Sequence, residues 1–443
     1  MGSAEREKIG IVGGGILGLT LAVHLSDRGF RVTVIEAEDR VGGILVPIEI
    51  GNYLWDRFYH VILNSDVSLL DFLERLELLR EIEWGPAKTG FYTDGAFYSM
   101  SNILEFLRFP PLSFIDLLRL GGTIFMTSRI KSWQKLENVP VEQWLRRLSG
   151  HRNFRKIWLP LLKSKLGENY RITNAAFIWS TIARMYSARR SGAKQEMFGY
   201  IRGGYATVLD HLRTLLERQS VEVICGKAVV QVRKRDRDKQ IELSGGDRLS
   251  LDAIVMTNDC GAIAALCPEL TEAEKARLRQ VQYEHVVCPV FLLTKPLGGY
   301  YITNITEDGF PFTTAIEMTA LVDKITFDGN SLVYLPRYLA DDDPCLQWDD
   351  AALCSTFFSS LRRMYPGLRE EDIAASTVAR ARCVFPVTTI NYSTNVMPGT
   401  RTSVKGLFIA NSSQIPNGTM NVNELVALSH RKARELTEYI YEK

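Results

Sequence analysis

The stretch Ile9-Gly10-Ile11-Val12-Gly13-Gly14-Gly15-Ile16-Leu17-Gly18 decides the fold. A short apolar run of β type passes straight into G-x-G-x-x-G, and each glycine of that pattern has a mechanical task at a strand-to-helix turn. Gly13 makes the tight turn, Gly15 lets the backbone approach a pyrophosphate, and Gly18 lets the helix pack close to the strand. The helix that follows carries Leu17, Leu21 and Leu25 at a spacing of four, with Gly29 as its predicted stop. Its first amides, at Ile16 and Leu17, would aim the positive end of the helix dipole at phosphates. Arg31 to Ile35 reads as a second strand, and it ends at Glu36. A carboxylate there accepts hydrogen bonds from an adenosine ribose and repels a 2'-phosphate, which disfavours NADP. The order of strand, turn, helix, strand and acid predicts dinucleotide binding, and both FAD and NAD fit these residues.

The next segment narrows the choice. Glu36-Ala37-Glu38-Asp39-Arg40-Val41-Gly42-Gly43 resembles the E-A-x-x-R-x-G-G segment of the flavin amine oxidase and protoporphyrinogen oxidase superfamily, which also includes phytoene-desaturase-like enzymes and UDP-galactopyranose mutases. The resemblance implies FAD. It places Ala37, Arg40, Gly42 and Gly43 along the diphosphate and ribityl chain, the glycines for close approach and the arginine for charge. The arginine usual after the two glycines is Ile44 here. It also implies that Val229 sets its backbone against the adenine. At the far end, Gly406 to Asn411 and then Gly418-Thr419-Met420-Asn421 resemble the segment from which a last helix directs its amides toward the flavin. Asn411 stands where the family has an aspartate.

The fold class expected is therefore α/β, a Rossmann-type FAD-binding domain assembled from separated segments (6–60, 200–265 and 400–443), with an inserted α+β substrate domain (61–199 and 266–399) whose helical region is 102–190. Within the second half, Val286 to Leu293, Tyr300 to Ile305 and Leu332 to Leu335 read as strands of an antiparallel sheet. Leu353, Phe357, Leu361 and Met364 mark one face of a helix covering it.

Composition agrees. The 443 residues are 46% apolar and 10% aromatic, as in ordinary globular proteins, and a formal net charge of +2 argues against nucleic acid as a partner. Seven cysteines stand without a C-x-x-C pair, so neither a metal site nor a disulfide framework is expected. The sequence shows no signal peptide and no spanning apolar run, and Arg6 breaks the myristoylation pattern that Met1-Gly2-Ser3 begins. The expected location is cytoplasmic, with peripheral contact on the inner face of the membrane as an extension.

That extension concerns residues 102–131, which are apolar apart from Glu105, Arg108, Asp116, Arg119, Arg129 and Lys131 among the charged types and are split by Pro110-Pro111. The first expectation is a pair of core helices. The alternative is membrane contact, with Arg129, Lys131 and Lys135 meeting headgroups. Trp158-Leu159-Pro160-Leu161-Leu162 with Lys163, Lys165 and Gly167 resembles a stretch of a bacterial subgroup of these flavoproteins, or else is a packed helix with a solvated basic face. Arg184, Arg189 and Arg190 either hold a phosphate or are solvated.

For catalysis the candidates are His60, which the resemblance places beside the flavin, Glu317 as a pocket carboxylate, and Tyr392, with Tyr334 and Tyr338, as cavity lining. The function implied is a two-electron oxidation, hydride passing to flavin N5, of an amine, a porphyrinogen-like compound or a lipid or polyprenyl-type substrate. A flavin-dependent isomerase of a nucleotide sugar, like UDP-galactopyranose mutase, is the alternative. The partner is a small-molecule or lipid-linked substrate, and the oligomeric state is not readable.

Overall fold

A computed structural model describes residues 7–101, 105, 108–189, 197–235, 238–418 and 420–442. Leu104, Phe106, Leu107, Arg190 and Thr419, and the side chain of Arg189, lie outside the described residues. Strand β1 (Lys8–Val12) leads into helix α1 (Ile16–Ser26) and strand β2 (Arg31–Ile35). A long excursion that includes helix α2 (Phe114–Arg129) follows, and the chain then returns through β3 (Glu222–Ile224), β4 (Ala253–Met256), β5 (Leu407–Ile409) and helix α3 (Val422–Tyr441). The five strands form one parallel sheet in the order β3-β2-β1-β4-β5.

This sheet is buried on both faces, and the sequence says why. Ile9 and Ile11 of β1 alternate with Gly10 and Val12, so one strand feeds two cores. On one side α1, α3 and the helix Tyr205–Arg218 supply Leu19, Leu21, Leu428, Leu436, Val208 and Leu212. On the other, the antiparallel strands Val229–Arg235, Asp238–Leu243 and Arg248–Leu251 pack Ile241 and Leu251 against Ile254 and Met256. Helix α1 is buried almost all round, which suits its uniformly apolar sequence, and the chain leaves it through Gly29 at φ +87°.

The second sheet has eight strands. Along it run Arg337–Leu339, Tyr283–Leu293, Ser331–Tyr334, Thr314–Glu317, Ile302–Ile305, Thr89–Thr93 and Ala96–Ser99, and Ile373–Pro386 pairs with Tyr283–Leu293. The expectation of an antiparallel sheet needs one correction. Strand Thr89–Thr93, which the sequence reading did not propose, joins Ile302–Ile305 in parallel. Leu353, Phe357, Leu361 and Met364 are all buried on this sheet's helix Asp350–Met364, as their spacing predicts.

Of the described part of 102–131, Phe109, Leu112, Leu117 and Leu120 join a buried cluster as the core expectation has it, and helix α2 departs from it on its other faces. Ser113 and Asp116 form a reciprocal cap at its start. Leu117 and Leu120 are buried, but Phe114, Ile115, Leu118, Phe125 and Met126 are between 51% and 69% exposed. The apolar residues occupy more than one face of the helix, and among the described residues five of its eight Phe, Ile, Leu and Met side chains stay in solvent. Among the described residues no helix is long and apolar enough to cross a membrane.

Candidate functional site

The glycine turn is built to leave room. A side-chain carbon on Gly18 would stand 2.1 Å from the Gly13 carbonyl oxygen, so helix and strand touch there. At Gly15 the same carbon would meet nothing within 4 Å. Gly15 is also the residue before α1, and no side chain caps that helix, so its first amides are offered to whatever occupies the open space. The second glycine pair closes on the first: Gly42 donates its N–H to the Gly14 carbonyl at 2.8 Å, and Gly15 and Gly42 form a parallel bridge. Gly42 and Gly43 sit at φ +128° and +58°, conformations that side chains resist. Arg40 is exposed at the approach to this turn.

Glu36 is held in place by the chain itself. One carboxylate oxygen accepts from the Gly14 N–H at 2.7 Å and the other from the Glu38 N–H at 3.0 Å. Each oxygen keeps a further lone pair. Beside it lies a cavity of about 190 Å³ lined by Gly13, Glu36, Ala37 and Val229, together with Lys227, Asn258 and Leu266. The sequence reading missed the last three. Asn258 had a signal, because it lies just past the carboxyl end of β4, where ligands of open parallel sheets bind. Lys227 had one too, two positions before Val229.

At the C-terminal end Gly418 has φ +67° and is pressed against Phe177 and Thr388. Met420 follows, and Asn421 caps α3 through its Oδ1, which accepts from the Glu424 N–H at 3.0 Å. Asn411 is used otherwise than the resemblance implies. Its amide donates to the Asn258 carbonyl at 2.7 Å and its Oδ1 accepts from both the N–H and the hydroxyl of Ser413, so the side chain ties β5 to β4. Its backbone is engaged as well: the N–H donates to the Gln414 Oε1 at 3.3 Å and the carbonyl accepts from the Gln414 N–H at 3.1 Å.

Asp56 to His60 lie beside the start of the helix Tyr205–Arg218. The carboxylate of Asp56 is fully buried; burial pushes its pKa up to about 7, against the pull of the Tyr205 N–H, which donates to it at 2.7 Å. His60 packs edge-on to Tyr205, its ring centroid 5.3 Å away, and burial followed by the charge of Lys165 lowers its pKa to about 4. Tyr59 and Tyr338 have their hydroxyls 3.2 Å apart, and the Lys165 Nζ donates to both, at 3.5 and 3.2 Å. The residues expected at one centre are therefore not together. His60, Tyr59 and Tyr338 form a group with Lys165. Glu317 instead receives the N–H groups of Leu297, Gly298 and Gly299 and anchors that turn, while the Tyr392 hydroxyl donates to the Ser413 carbonyl at 2.8 Å. Tyr334, fully buried, donates to the Asp56 carbonyl. Arg184 is partly exposed but not free: it grips buried Asp66 with two hydrogen bonds of 3.1 and 2.8 Å.

A run of buried polar atoms has no partner in the protein: Asn258 Oδ1, Arg57 Nε, His60 Nε2, Thr388 Oγ1, Asn417 Oδ1 and Asn421 Nδ2. Buried polar groups are seldom left so, and several of these belong to the cavity beside Glu36 or to segments that flank Gly418. With the open space over Gly15, they fit an FAD lying from Glu36 to Asn421. The class defined is an FAD-binding oxidoreductase.

The chain belongs to the flavin containing amine oxidoreductase family, which matches residues 18–421. It is 23% identical to a carotenoid phi-ring synthase of Streptomyces griseus over 87% of this chain and 79% of the synthase. It is 22% identical to a 4,4'-diapolycopen-4-al dehydrogenase of Metabacillus indicus over 59% of this chain, a match spanning 58% of the dehydrogenase. The fold is shared with an oxidoreductase from Methanosarcina mazei, at a TM-score of 0.76 and 17% identity over 97% of this chain and all of the other. The chain is an FAD-dependent oxidoreductase.

Proposed function

We propose that the chain removes two electrons, as hydride, from an apolar substrate of lipid or polyprenyl type that it meets at a membrane surface. The observation that carries this reading is the exposed apolar face of α2, flanked by exposed Arg129, Lys131 and Lys135. Such a face beside cations suits the boundary of an anionic bilayer. In this reading the Rossmann-type cofactor domain and the inserted substrate domain have the boundaries expected from the sequence. Bound FAD supplies the hydride acceptor.

The residues have the following tasks. Glu36 accepts from the ribose, the amides at Gly15 to Leu17 hold the diphosphate, Val229 lies along the adenine, and Met420 with the start of α3 faces the flavin end. His60 stays neutral at physiological pH because burial disfavours its charged form, so it can accept or donate one hydrogen bond beside the reacting carbon. Tyr59, Tyr334, Tyr338 and Phe385 wall the space and exclude water.

The test is anaerobic: FAD-loaded protein is mixed with a dispersed polyprenyl compound, a porphyrinogen and a simple amine, and the visible flavin band is followed. Bleaching by the polyprenyl compound is the expected result. Bleaching by the amine alone overturns the substrate class, and turnover of a nucleotide sugar only after dithionite reduction establishes the isomerase.

A further inference from the structure

Lys165, near the end of the helix Leu159–Leu166, sets its ammonium against two tyrosines. Its Nζ stands 4.7 Å from the centroid of the Tyr338 ring and 5.5 Å from that of Tyr59. A pair of aromatic faces is the usual receptor for an amine or ammonium ligand, and here the chain fills it with its own cation. Among the described residues Lys165 enters no ion pair, its hydrogen-bond partners being the two phenols. Lys165 is exposed, so its ammonium is held by the two phenol oxygens, the ring faces and solvent, and its spare N–H is open to a ligand.

The hydrogen-bond count points the same way. An ammonium offers three protons and two phenols offer one each, five in all. The bonds within the group, Lys165 to Tyr59, Lys165 to Tyr338 and one phenol to the other, use three. One N–H and one O–H remain, alongside a whole positive charge. The phenols are fixed in place: the Tyr59 ring meets Tyr334 edge-on at 6.1 Å, and the Tyr338 ring packs on Phe385 at 5.5 Å. Two spare donors on a fixed frame, carrying a cation and no acid, form a receptor for an anion.

We propose that Lys165, Tyr59 and Tyr338 bind the anionic headgroup, a carboxylate or a phosphate, of the substrate. The proposal rests on the reading that substrate enters beside Asp56 to His60, and it gives that substrate an amphiphilic character. A protonated amine would meet Lys165 as a like charge. Lys165 and the two tyrosines are binding residues, and no chemical step is assigned to them.

The experiment uses the FAD-loaded full chain and three probes with one tail: dodecanoate, dodecyl phosphate and dodecylamine. Binding is read from intrinsic tryptophan fluorescence and from the shift of the visible flavin band, without turnover. One or both anions are expected to bind at least about tenfold tighter than the amine, the scale of a charge-assisted hydrogen-bond pair. Lys165→Gln should remove that preference, Lys165→Glu should reverse it, and Tyr338→Phe, which keeps the ring and loses one donor, should weaken the anion by roughly threefold. The tighter anion names the headgroup. Equal binding of amine and anions, no anion binding, or unchanged anion affinity in Lys165→Gln overturns the proposal. The redox reading fails separately: a protein that binds anions through Lys165 yet is never bleached by a lipid keeps this site and loses that activity.

Discussion

The Gly13–Gly18 turn and the Tyr59–Lys165–Tyr338 group are built on opposite principles. The turn is local: its parts lie within a few residues, its contacts are backbone contacts, and its meaning lies in side chains that are missing. The group draws single side chains from three segments more than 100 residues apart and depends on how a loop, a helix and a sheet strand are brought together. A backbone site is specified by spacing, so it is legible before folding. A side-chain site is specified by packing, and no spacing encodes it.

The largest effects should come from the turn and should separate its two kinds of glycine. Gly18→Ala places a carbon against the Gly13 carbonyl and should cost about 3 kcal/mol of stability. Gly15→Val, set in open space at an ordinary φ of −70°, should leave the apoprotein's urea midpoint close to wild type while abolishing FAD binding. Equal losses of stability would show that the space over Gly15 has no tenant. Glu36→Ala comes next, with FAD affinity expected to fall by roughly ten- to a hundredfold for two lost ribose hydrogen bonds, measured by titration of the flavin band.

Asp56 sharpens the comparison from the side of the pocket. Its folded pKa of about 7 exceeds the ordinary 3.8, so the folded protein takes up a proton that the unfolded chain releases. The stability this gives is complete below about pH 4 and is lost as the pH climbs to about 7 and above. Asp56→Asn, which can still accept from Tyr205, should match wild type near pH 4 and be more stable at pH 8, by on the order of 2 kcal/mol in urea unfolding. His60 acts in the opposite sense. Its lowered pKa makes the fold lose stability as the pH drops from about 6.5 through about 4. The smallest change in stability, within about 0.5 kcal/mol, is expected for Leu118→Glu with Phe125→Glu on the exposed face of α2. The same double substitution should abolish flotation with anionic vesicles if this face meets lipid.

Much of the fold was legible. The strand limits Arg31 to Ile35 agree residue for residue with β2, and the buried stripe of the helix Asp350–Met364 follows its spacing. Thr89–Thr93 was not legible, because its place in the second sheet depends on Ile302–Ile305, some two hundred residues away. Nor could the sequence show that Glu317 would hold a turn, that Tyr392 would bond Ser413, or that Arg184 would pair with Asp66. A polar residue in a sequence advertises its chemistry but not its partner.

By itself, then, the sequence determined the parts whose physics is local: the glycine turns, the acid after β2, the apolar periods and, through resemblance, the flavin. Only the tertiary structure decided which polar groups are already satisfied and which remain free. Among the described residues it left partnerless atoms from Asn258 to Asn421, an exposed apolar face on α2, and a lysine beside two phenols with donors to spare. The reason is that desolvation and hydrogen-bond satisfaction are properties of neighbourhoods, and neighbourhoods exist only after the chain has folded.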